Sequence, residues 1–146
     1  MDETTCRCSL RVPIVNPQEK VVSVARAKSV PRILLVNGEN TVQHLRALML
    51  RMEGYHVDTA ADLRAARAVI AAARKYDLVI VDVGHFAGPG LEFCEEIKKH
   101  YPALKVLMQV DGNLYLDRSA CPDEVVSKQE GPHHFVREVE RMLQAS

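Results

Sequence analysis

Short, continuously apolar segments recur along this chain from residue 31 onward, and they constrain its fold more than any other feature. The clearest lies at residues 77–82, where Asp77 and Asp82 bracket an uninterrupted run of leucine, isoleucine and valine. A strand that is apolar on both faces must be covered on both sides, as parallel strands are between two layers of helices. The sequence therefore predicts a buried parallel sheet.

Further strands are predicted on the same grounds, and helical patterns separate them. The predicted strands cover residues 32–36, 55–60, 77–82, 105–110 and 124–127. Helix signals between them include Asn40 or Thr41 as an N-cap, Gly54 as a stop and Asp62 as a second cap. This alternation predicts an α/β fold, with helices on both faces of a parallel sheet and right-handed crossovers.

Apolar residues at helical spacing mark one face of each predicted helix. These faces comprise Val42, Leu45, Leu48, Met49 and Met52 in the first helix, Leu63, Ala66 and Ile70 in the second, Leu91, Cys94 and Ile97 in the third, and Phe135, Val139, Met142 and Leu143 in the last. Only about two helical turns fit between Val110 and Glu124. The fourth helix of the pattern should therefore be short or irregular.

The chain of 146 residues is long enough for one core and too short for two independent ones. We divide it into an N-terminal extension at residues 1–30, which Pro13 and Pro17 interrupt, and a domain at residues 31–146. The extension is flexible, adds a strand to a sheet edge or docks on a partner, and the sequence leaves these alternatives open.

Charge and hydropathy exclude several classes of function. Lysine and arginine together number 19, as do aspartate and glutamate, and no basic stripe suited to a nucleic-acid groove is present. No apolar run is long enough to span a bilayer, and the N-terminus lacks a secretory signal. We expect a cytoplasmic protein that binds neither nucleic acid nor a membrane.

The cysteines Cys6, Cys8, Cys94 and Cys121 match neither a zinc knuckle nor a small disulfide framework. Reduced thiols are therefore expected. Cys6 and Cys8 are a pair of soft metal ligands without an obvious second pair, which makes a metal site there the less favoured interpretation.

Ligands of open parallel sheets bind at the carboxyl ends of the strands. Those ends carry Asn37 and Gly38 after the first strand, Asp82 after the third, Val110 at the fourth and Lys128 after the fifth. One carboxylate and one amine are thus the candidate functional groups. The alternative interpretation of Asp82 is a strand-ending aspartate that only accepts backbone hydrogen bonds.

From Pro31 onward the chain resembles a response-regulator receiver domain. The resemblance rests on residues 32–36, 54–57 and 77–82, on Gly90-Leu91-Glu92 shortly after Asp82, and on Lys128. It implies a doubly wound, CheY-like five-stranded sheet of order 2-1-3-4-5. It also implies that Asp82 is the position that accepts a phosphoryl group from a histidine kinase, and that Lys128 contacts that group.

Several positions depart from the pattern of the family. The acidic pair that holds Mg²⁺ corresponds to Asn37 and Gly38, the switch Ser/Thr to Val110 and the switch aromatic to Val125. None of these side chains supplies the carboxylate, hydroxyl or ring that the family uses there. We therefore interpret the chain as a degenerate receiver, or pseudo-receiver, in which phosphorylation is slow or absent.

Magnesium should bind weakly at best, and no resident cofactor is expected. Asp82 and Lys128 neutralise each other, so a divalent cation has little negative charge to bind. Glu39 follows the degenerate pair and is the one carboxylate nominated as a remaining metal ligand. Its alternative interpretation is an acidic residue near a helix start, where the helix dipole favours it.

The leading interpretation is a non-enzymatic, atypical single-domain response regulator of phosphorelay signalling that acts as a protein–protein interaction module. The first alternative is a functional regulator that accepts a phosphoryl group on Asp82. The second is a flavodoxin-like ligand-binding protein, although no GxGxxG or P-loop motif follows the first strand. No output domain follows the last predicted helix, so the expected partner is a histidine kinase or a downstream effector, and homodimerisation stays open.

Overall fold

The computed structural model describes residues 29–36, 40–73, 75–84, 88–112 and 121–144. Strands and helices alternate along the chain, which divides into the units Met1–Val30 and Pro31–Ser146. In the second unit the elements are β1 (Arg32–Val36), α1 (Asn40–Met52), β2 (His56–Ala60), α2 (Leu63–Ala73), β3 (Leu78–Gly84), α3 (Gly88–His100), β4 (Lys105–Val110), β5 (Glu124–Ser127) and α4 (Gly131–Gln144). A 3-10 turn at Lys128–Glu130 joins β5 to α4.

The five strands form one parallel sheet in the order β2-β1-β3-β4-β5. The order reverses at β1 and β3, where Leu34 lies opposite Asp58 of β2 on one side and Val79 of β3 on the other. The doubly wound topology of order 2-1-3-4-5 is confirmed. This reversal places the carboxyl ends of β1 and β3 at the crevice where ligands bind in such sheets.

The sheet separates two apolar clusters, one on each face. Alternate residues of β1 and β3 enter opposite clusters, since successive side chains of a strand point to opposite faces. Leu34 and Val79 pack with α2 and α3, whereas Ile33 and Leu78 pack with α1 and α4. Because both faces of these strands are buried, their sequence is continuously apolar, as predicted.

Helix boundaries follow the predicted signals in two places. The Asp62 carboxylate accepts a hydrogen bond from the backbone N–H of Ala65 at 2.8 Å, which caps the start of α2. Gly54 follows α1 with φ of 99°, a left-handed conformation that ends the helix. The third helix begins at Gly88, three residues before Leu91 of its predicted apolar face, because Pro89 is compatible with a first helical turn.

The buried face of α1 differs from the predicted apolar face. Leu45, Leu48 and Met52 are 55%, 49% and 78% exposed. The buried positions are instead Gln43, Ala47 and Leu50. Gln43 is tolerated in the core because its amide donates to the carbonyls of Leu35 and Ala60, at 3.2 and 2.6 Å. Of the predicted face, Val42 and Met49 are partly buried and Met49 packs against the core, so hydrophobic spacing was wrong for Leu45, Leu48 and Met52.

The expectation of reduced thiols is wrong for two of the cysteines. Cys94 and Cys121 form a disulfide bond, with Cα atoms 6.0 Å apart. They are 27 residues apart in sequence, and the topology brings α3 against the turn before β5. Local cysteine motifs cannot reveal such a pair. Cys94 is nevertheless a buried core residue of α3, as predicted.

Three other predictions fall on residues outside the described ranges. They concern the N-terminal extension with Cys6 and Cys8, the acidic-pair region at residues 37–39, and the short fourth helix, whose residues 113–120 are not described. None of the described helices is both long and apolar enough to cross a membrane.

Candidate functional site

Asp82 lies near the carboxyl end of β3, and its side chain is only 6% exposed. One carboxylate oxygen, Oδ1, accepts from Lys128 Nζ at 2.8 Å and from the backbone N–H of Gly84 at 3.0 Å. The other oxygen, Oδ2, accepts from Arg46 Nη1 at 3.1 Å. Both oxygens of the carboxylate are thus engaged by a cationic side chain.

Lys128 immediately follows β5 and contacts a second carboxylate. Its Nζ lies 2.7 Å from Asp111 Oδ1 as well as 2.8 Å from Asp82 Oδ1. Burial by itself would lower the pKa of the Lys128 ammonium, but the hydrogen bonds and charges of Asp111 and Asp82 outweigh it and raise the pKa. Lys128 is therefore a charged bridge between two acidic groups.

Asp111 follows β4 directly and is placed by the backbone around it. Its N–H donates to the carbonyl of Gly84 at 3.1 Å. Gly84 has φ of 59° beside a register shift in the β3–β4 pairing, a left-handed conformation that suits glycine. Ser127 Oγ donates to the carbonyl of Gly112 at 3.0 Å, which fixes the other side of this turn against β5.

Arg46 reaches Asp82 from the second turn of α1 and is 14% exposed. The helix begins at the carboxyl edge of the sheet, so its first turns lie above the pocket. The described pocket then holds two carboxylates, Asp82 and Asp111, and two cations, Arg46 and Lys128. Their formal charges sum to zero, and an arginine lies directly beside the Asp82 carboxylate.

The structure brings together Asp82 and Lys128, the two residues nominated from the strand ends. Val110 is buried at the end of β4 and Val125 is half-buried in β5, so neither presents a polar group near the aspartate. Asn37, Gly38 and Glu39 lie outside the described residues, and the interpretation of these positions stays a prediction. In the described ranges, no cluster of three or more His, Cys, Asp or Glu side chains is arranged to hold a metal ion.

The sequence analysis missed Arg46 and Asp111. Asp111 could have been found, because it is a carboxylate directly after a strand that ends at the same edge. Arg46 carries no such signal: it is one of several arginines on helices, and only the crossing of α1 over the sheet shows which of them reaches the pocket. A search restricted to strand ends overlooks helix residues of this kind.

Comparison with protein families agrees with the resemblance to receiver domains seen in the sequence. The model of the family described as the response regulator receiver domain matches residues 33–116. A curated relative, the alkaline phosphatase synthesis transcriptional regulatory protein SphR of Synechococcus elongatus, is 28% identical in a match that covers 92% of this chain and 57% of that protein. The chain thus spans little more than half the length of that relative.

Solved structures resemble the described domain closely. The receiver domain of NtrX from Brucella abortus has a TM-score of 0.68 and 32% sequence identity, covering 78% of this chain and 99% of that chain. The response regulator TrrA from Thermotoga maritima, in complex with Mg²⁺ and BeF, has a TM-score of 0.68 and 30% identity, covering 77% and 99% respectively.

Proposed function

Since the chain belongs to the family of response regulator receiver domains, we propose that it is an atypical receiver that acts by binding other proteins, with little or no phosphorylation of Asp82. It is a receiver domain of two-component signalling, and receiver domains interact with kinases and effectors. The proposal concerns how this one works: an arginine satisfies the acceptor aspartate in place of a divalent cation.

The observation that carries the proposal is the pairing of Asp82 with both Arg46 and Lys128. A carboxylate oxygen that accepts a charge-assisted hydrogen bond is a weaker nucleophile, because the lone pair that would attack phosphorus is held by the donor. Arg46 and Lys128 each hold one oxygen of Asp82. Phosphorylation would require at least one of these ion pairs to break first.

The described part of the pocket fits Mg²⁺ poorly. Magnesium prefers oxygen ligands in near-octahedral geometry, usually one or two carboxylates plus waters. Here Asp82 and Asp111 are both paired with cations, and the Arg46 guanidinium lies beside Asp82. A divalent ion at Asp82 would have to displace Arg46 or bear its repulsion. Mg²⁺ is thus proposed to bind weakly, and no resident cofactor is proposed.

Phosphorylation would unbalance the charge of this pocket. The four described charges sum to zero, because Asp111 offsets the positive charge that Arg46 adds. A phosphoryl group on Asp82 carries nearly two negative charges and would leave about one of them uncompensated, the same deficit as with Asp82 and Lys128 alone. Access to the nucleophile is a further obstacle, together with the loss of metal assistance to phosphoryl transfer.

A contact surface for a protein partner is consistent with the exposed residues of α1. Leu45, Leu48 and Met52 lie on its outer side at intervals of three and four residues, and all three are substantially exposed. Contiguous exposed apolar side chains are typical of protein-contact surfaces. A histidine kinase or a downstream effector is the proposed class of partner, and the chain itself is proposed to have no enzymatic activity.

A second candidate function is that of an ordinary phospho-accepting regulator. The retained Asp82–Lys128 contact favours it, as does the likeness to TrrA, whose structure holds Mg²⁺ and BeF. In this case Arg46 would leave the aspartate when metal and phosphodonor bind.

The test is incorporation of phosphoryl groups from acetyl phosphate in the presence of Mg²⁺, followed by intact-protein mass spectrometry. We expect no adduct on the wild-type chain beyond the background of an Asp82→Asn variant. Arg46→Ala frees one oxygen of Asp82 and should incorporate several-fold more phosphate than the wild type. Near-complete phosphorylation of the wild type that is absent in Asp82→Asn would overturn the proposal in favour of the ordinary regulator.

A further inference from the structure

Cys94 and Cys121 form a disulfide bond that lies outside the pocket around Asp82. Cys94 lies on α3, and Cys121 lies in the turn before β5, at the amino end of that strand. The pocket lies at the opposite, carboxyl ends of the strands. We propose that Cys94 and Cys121 are a reversible thiol–disulfide site, at which dithiols or glutathione open and close the link between α3 and β5.

The two sulfur atoms differ in accessibility. Cys94 is completely buried in the cluster between the sheet and the helices α2 and α3, whereas Cys121 is only partly buried at the edge of that cluster. An attacking thiolate must approach a disulfide sulfur directly. Cys121 is therefore the sulfur that a reductant attacks, and Cys94 is the leaving group.

The exchange balances with a dithiol reductant. A reductant thiolate forms a bond to Cys121 Sγ while the Cys94–Cys121 bond breaks, and Cys94 leaves as a thiolate that takes up a proton. The second thiolate of the reductant then attacks the mixed disulfide and releases Cys121, which is also protonated. The protein disulfide gains two electrons and two protons, and the dithiol becomes a disulfide. In the closing direction, one protein thiolate attacks oxidised glutathione to form a mixed disulfide and releases one glutathione thiolate. The other protein thiolate then attacks the protein sulfur of that mixed disulfide and releases the second glutathione, so that oxidised glutathione takes up the two electrons.

A second set of contacts holds the turn in place without the disulfide. Lys98, one helical turn after Cys94, contacts Asp123 Oδ2 through Nζ at 3.0 Å. Asp123 also accepts from the Val106 N–H at 2.8 Å and donates its own N–H to the Val106 carbonyl at 2.9 Å. Asp123 is two residues from Cys121, so these bonds keep the reduced thiols close enough to pair again.

The experiment uses the full chain with Cys6→Ser and Cys8→Ser, which leaves the two cysteines of interest as its only thiols. The folded protein is incubated with reduced or oxidised glutathione or dithiothreitol, quenched with N-ethylmaleimide and weighed intact. We expect no N-ethylmaleimide adduct after incubation with oxidised glutathione and two adducts after incubation of the native protein with dithiothreitol. After reoxidation, no adduct should form again. Two adducts under oxidised glutathione, or a disulfide that opens only in denaturant, would overturn the proposal.

Two matched variants test the role of the Asp123 contacts. Lys98→Met removes the ion pair to Asp123 and should slow reoxidation several-fold. Lys99→Met changes the neighbouring exposed lysine and should reoxidise at the rate of the parent. Equal reoxidation rates in the two variants would show that the Lys98–Asp123 ion pair does not keep the two thiols close, and would contradict this part of the proposal. Because the glutathione assay does not involve Asp82, its outcome is independent of whether the chain accepts a phosphoryl group.

Discussion

Arg46 is one of the two cations that pair with the buried carboxylate of Asp82. The contacts run in series from Arg46 to Asp82, from Asp82 to Lys128 and from Lys128 to Asp111, and Asp82 is the most buried of the four. Burying an ion pair costs desolvation free energy. Removing only one partner is strongly destabilising, because the other charge then stays buried without compensation. Removing Arg46 leaves Asp82 with one cation and an unsatisfied oxygen.

We predict that Arg46→Met destabilises the protein by about 1–3 kcal/mol, the range for loss of a hydrogen bond to a charged, buried group. Lys128 remains and prevents a larger loss. Urea unfolding followed by circular dichroism measures the change. Arg64→Met alters an exposed arginine of α2 and should stay within about 0.5 kcal/mol of the parent. Similar stabilities for Arg46→Met and Arg64→Met would show that the Arg46–Asp82 contact is not formed in solution.

At the residue scale, the sequence predicted half of this pocket. Asp82 and Lys128 could be nominated because each directly follows or ends a strand, and strand ends meet at one edge. Arg46 could not, since the reach of a long side chain from a helix depends on the exact crossing of that helix over the sheet. The same limit applies to Gln43, a polar residue that the core accepts only because two carbonyls are there to receive its hydrogen bonds.

Among the elements, α3 packs against β3 at a position where only glycine fits. A Cβ added to Gly90 would overlap Val83 Cγ1 on β3, whereas Gly88 in the same helical turn faces open space. Close approach of helix and strand at Gly90 therefore fixes how α3 lies on the sheet. This contact also explains why glycine occupies that helical position despite its unfavourable helix propensity.

We predict that Gly90→Ala destabilises the protein by about 1–3 kcal/mol, as overpacking of a core contact does. Val83→Ala should recover most of that loss in the double variant, because it removes the overlapping methyl groups. Gly88→Ala, the matched control in open space, should be close to neutral. Thermal unfolding of the parent, the two single variants Gly90→Ala and Val83→Ala, and the double variant measures the coupling between the two sites. If the stability changes of Gly90→Ala and Val83→Ala simply add in the double variant, the overlap between residue 90 and the Val83 side chain is contradicted.

A polar cluster around Asp58, the middle residue of β2, links this strand to Arg32 at the start of β1 and to Tyr76 before β3. Tyr76 Oη donates to Asp58 Oδ2 at 2.6 Å, and Arg32 Nη2 lies 3.5 Å from the same oxygen. Burial, followed by the hydrogen bond and charge of Asp58, raises the pKa of Tyr76 from 10.0 to about 12. Because the pKa is higher in the folded state, the stability that this phenol contributes is present below pH 10 and is lost as the pH rises toward 12.

An alkaline titration tests this assignment. Tyrosinate absorbance at 295 nm should show a late phase near pH 12 that is missing in Tyr76→Phe. The loss of stability between pH 10 and 12 should also become shallower in that variant. Tyr101→Phe serves as the control and should retain the late phase. If Tyr76→Phe titrates like the parent, the contact between the phenol and Asp58 is not made.

For the whole molecule, the order of strands and helices was predictable and the long-range covalent link was not. Continuous apolar strands and the resemblance to receiver domains were enough for the sheet order, because few topologies satisfy right-handed crossovers in this pattern. The pairing of Cys94 with Cys121 depends on three-dimensional proximity across α3, β4 and β5, which no local spacing rule contains. The prediction that Leu45, Leu48 and Met52 of α1 are buried failed for a related reason, since exposure depends on the neighbouring elements.

The disulfide should contribute measurably to global stability. Its cysteines are 27 residues apart, and for a loop of this length the chain-entropy model gives about 3–4 kcal/mol of stabilisation from restriction of the unfolded chain. We predict that Cys121→Ser lowers the free energy of unfolding by up to this amount, measured in denaturant without reductant. In the presence of dithiothreitol, the parent and the variant should converge. If the Cys121→Ser protein is as stable as the oxidised parent, the Cys94–Cys121 disulfide is not formed in solution.

The central claim is that Arg46 and Lys128 hold Asp82 in a state that does not respond to a phosphoryl group. Backbone amide spectra of the ¹⁵N-labelled chain, recorded with Mg²⁺ and then with beryllofluoride as a phosphoryl mimic, test it most directly. We predict no saturable shifts at Asp82, Gly84 and Lys128 in the wild type. Saturable shifts at these residues that extend into α4 would contradict the claim and show a working phosphorylation switch.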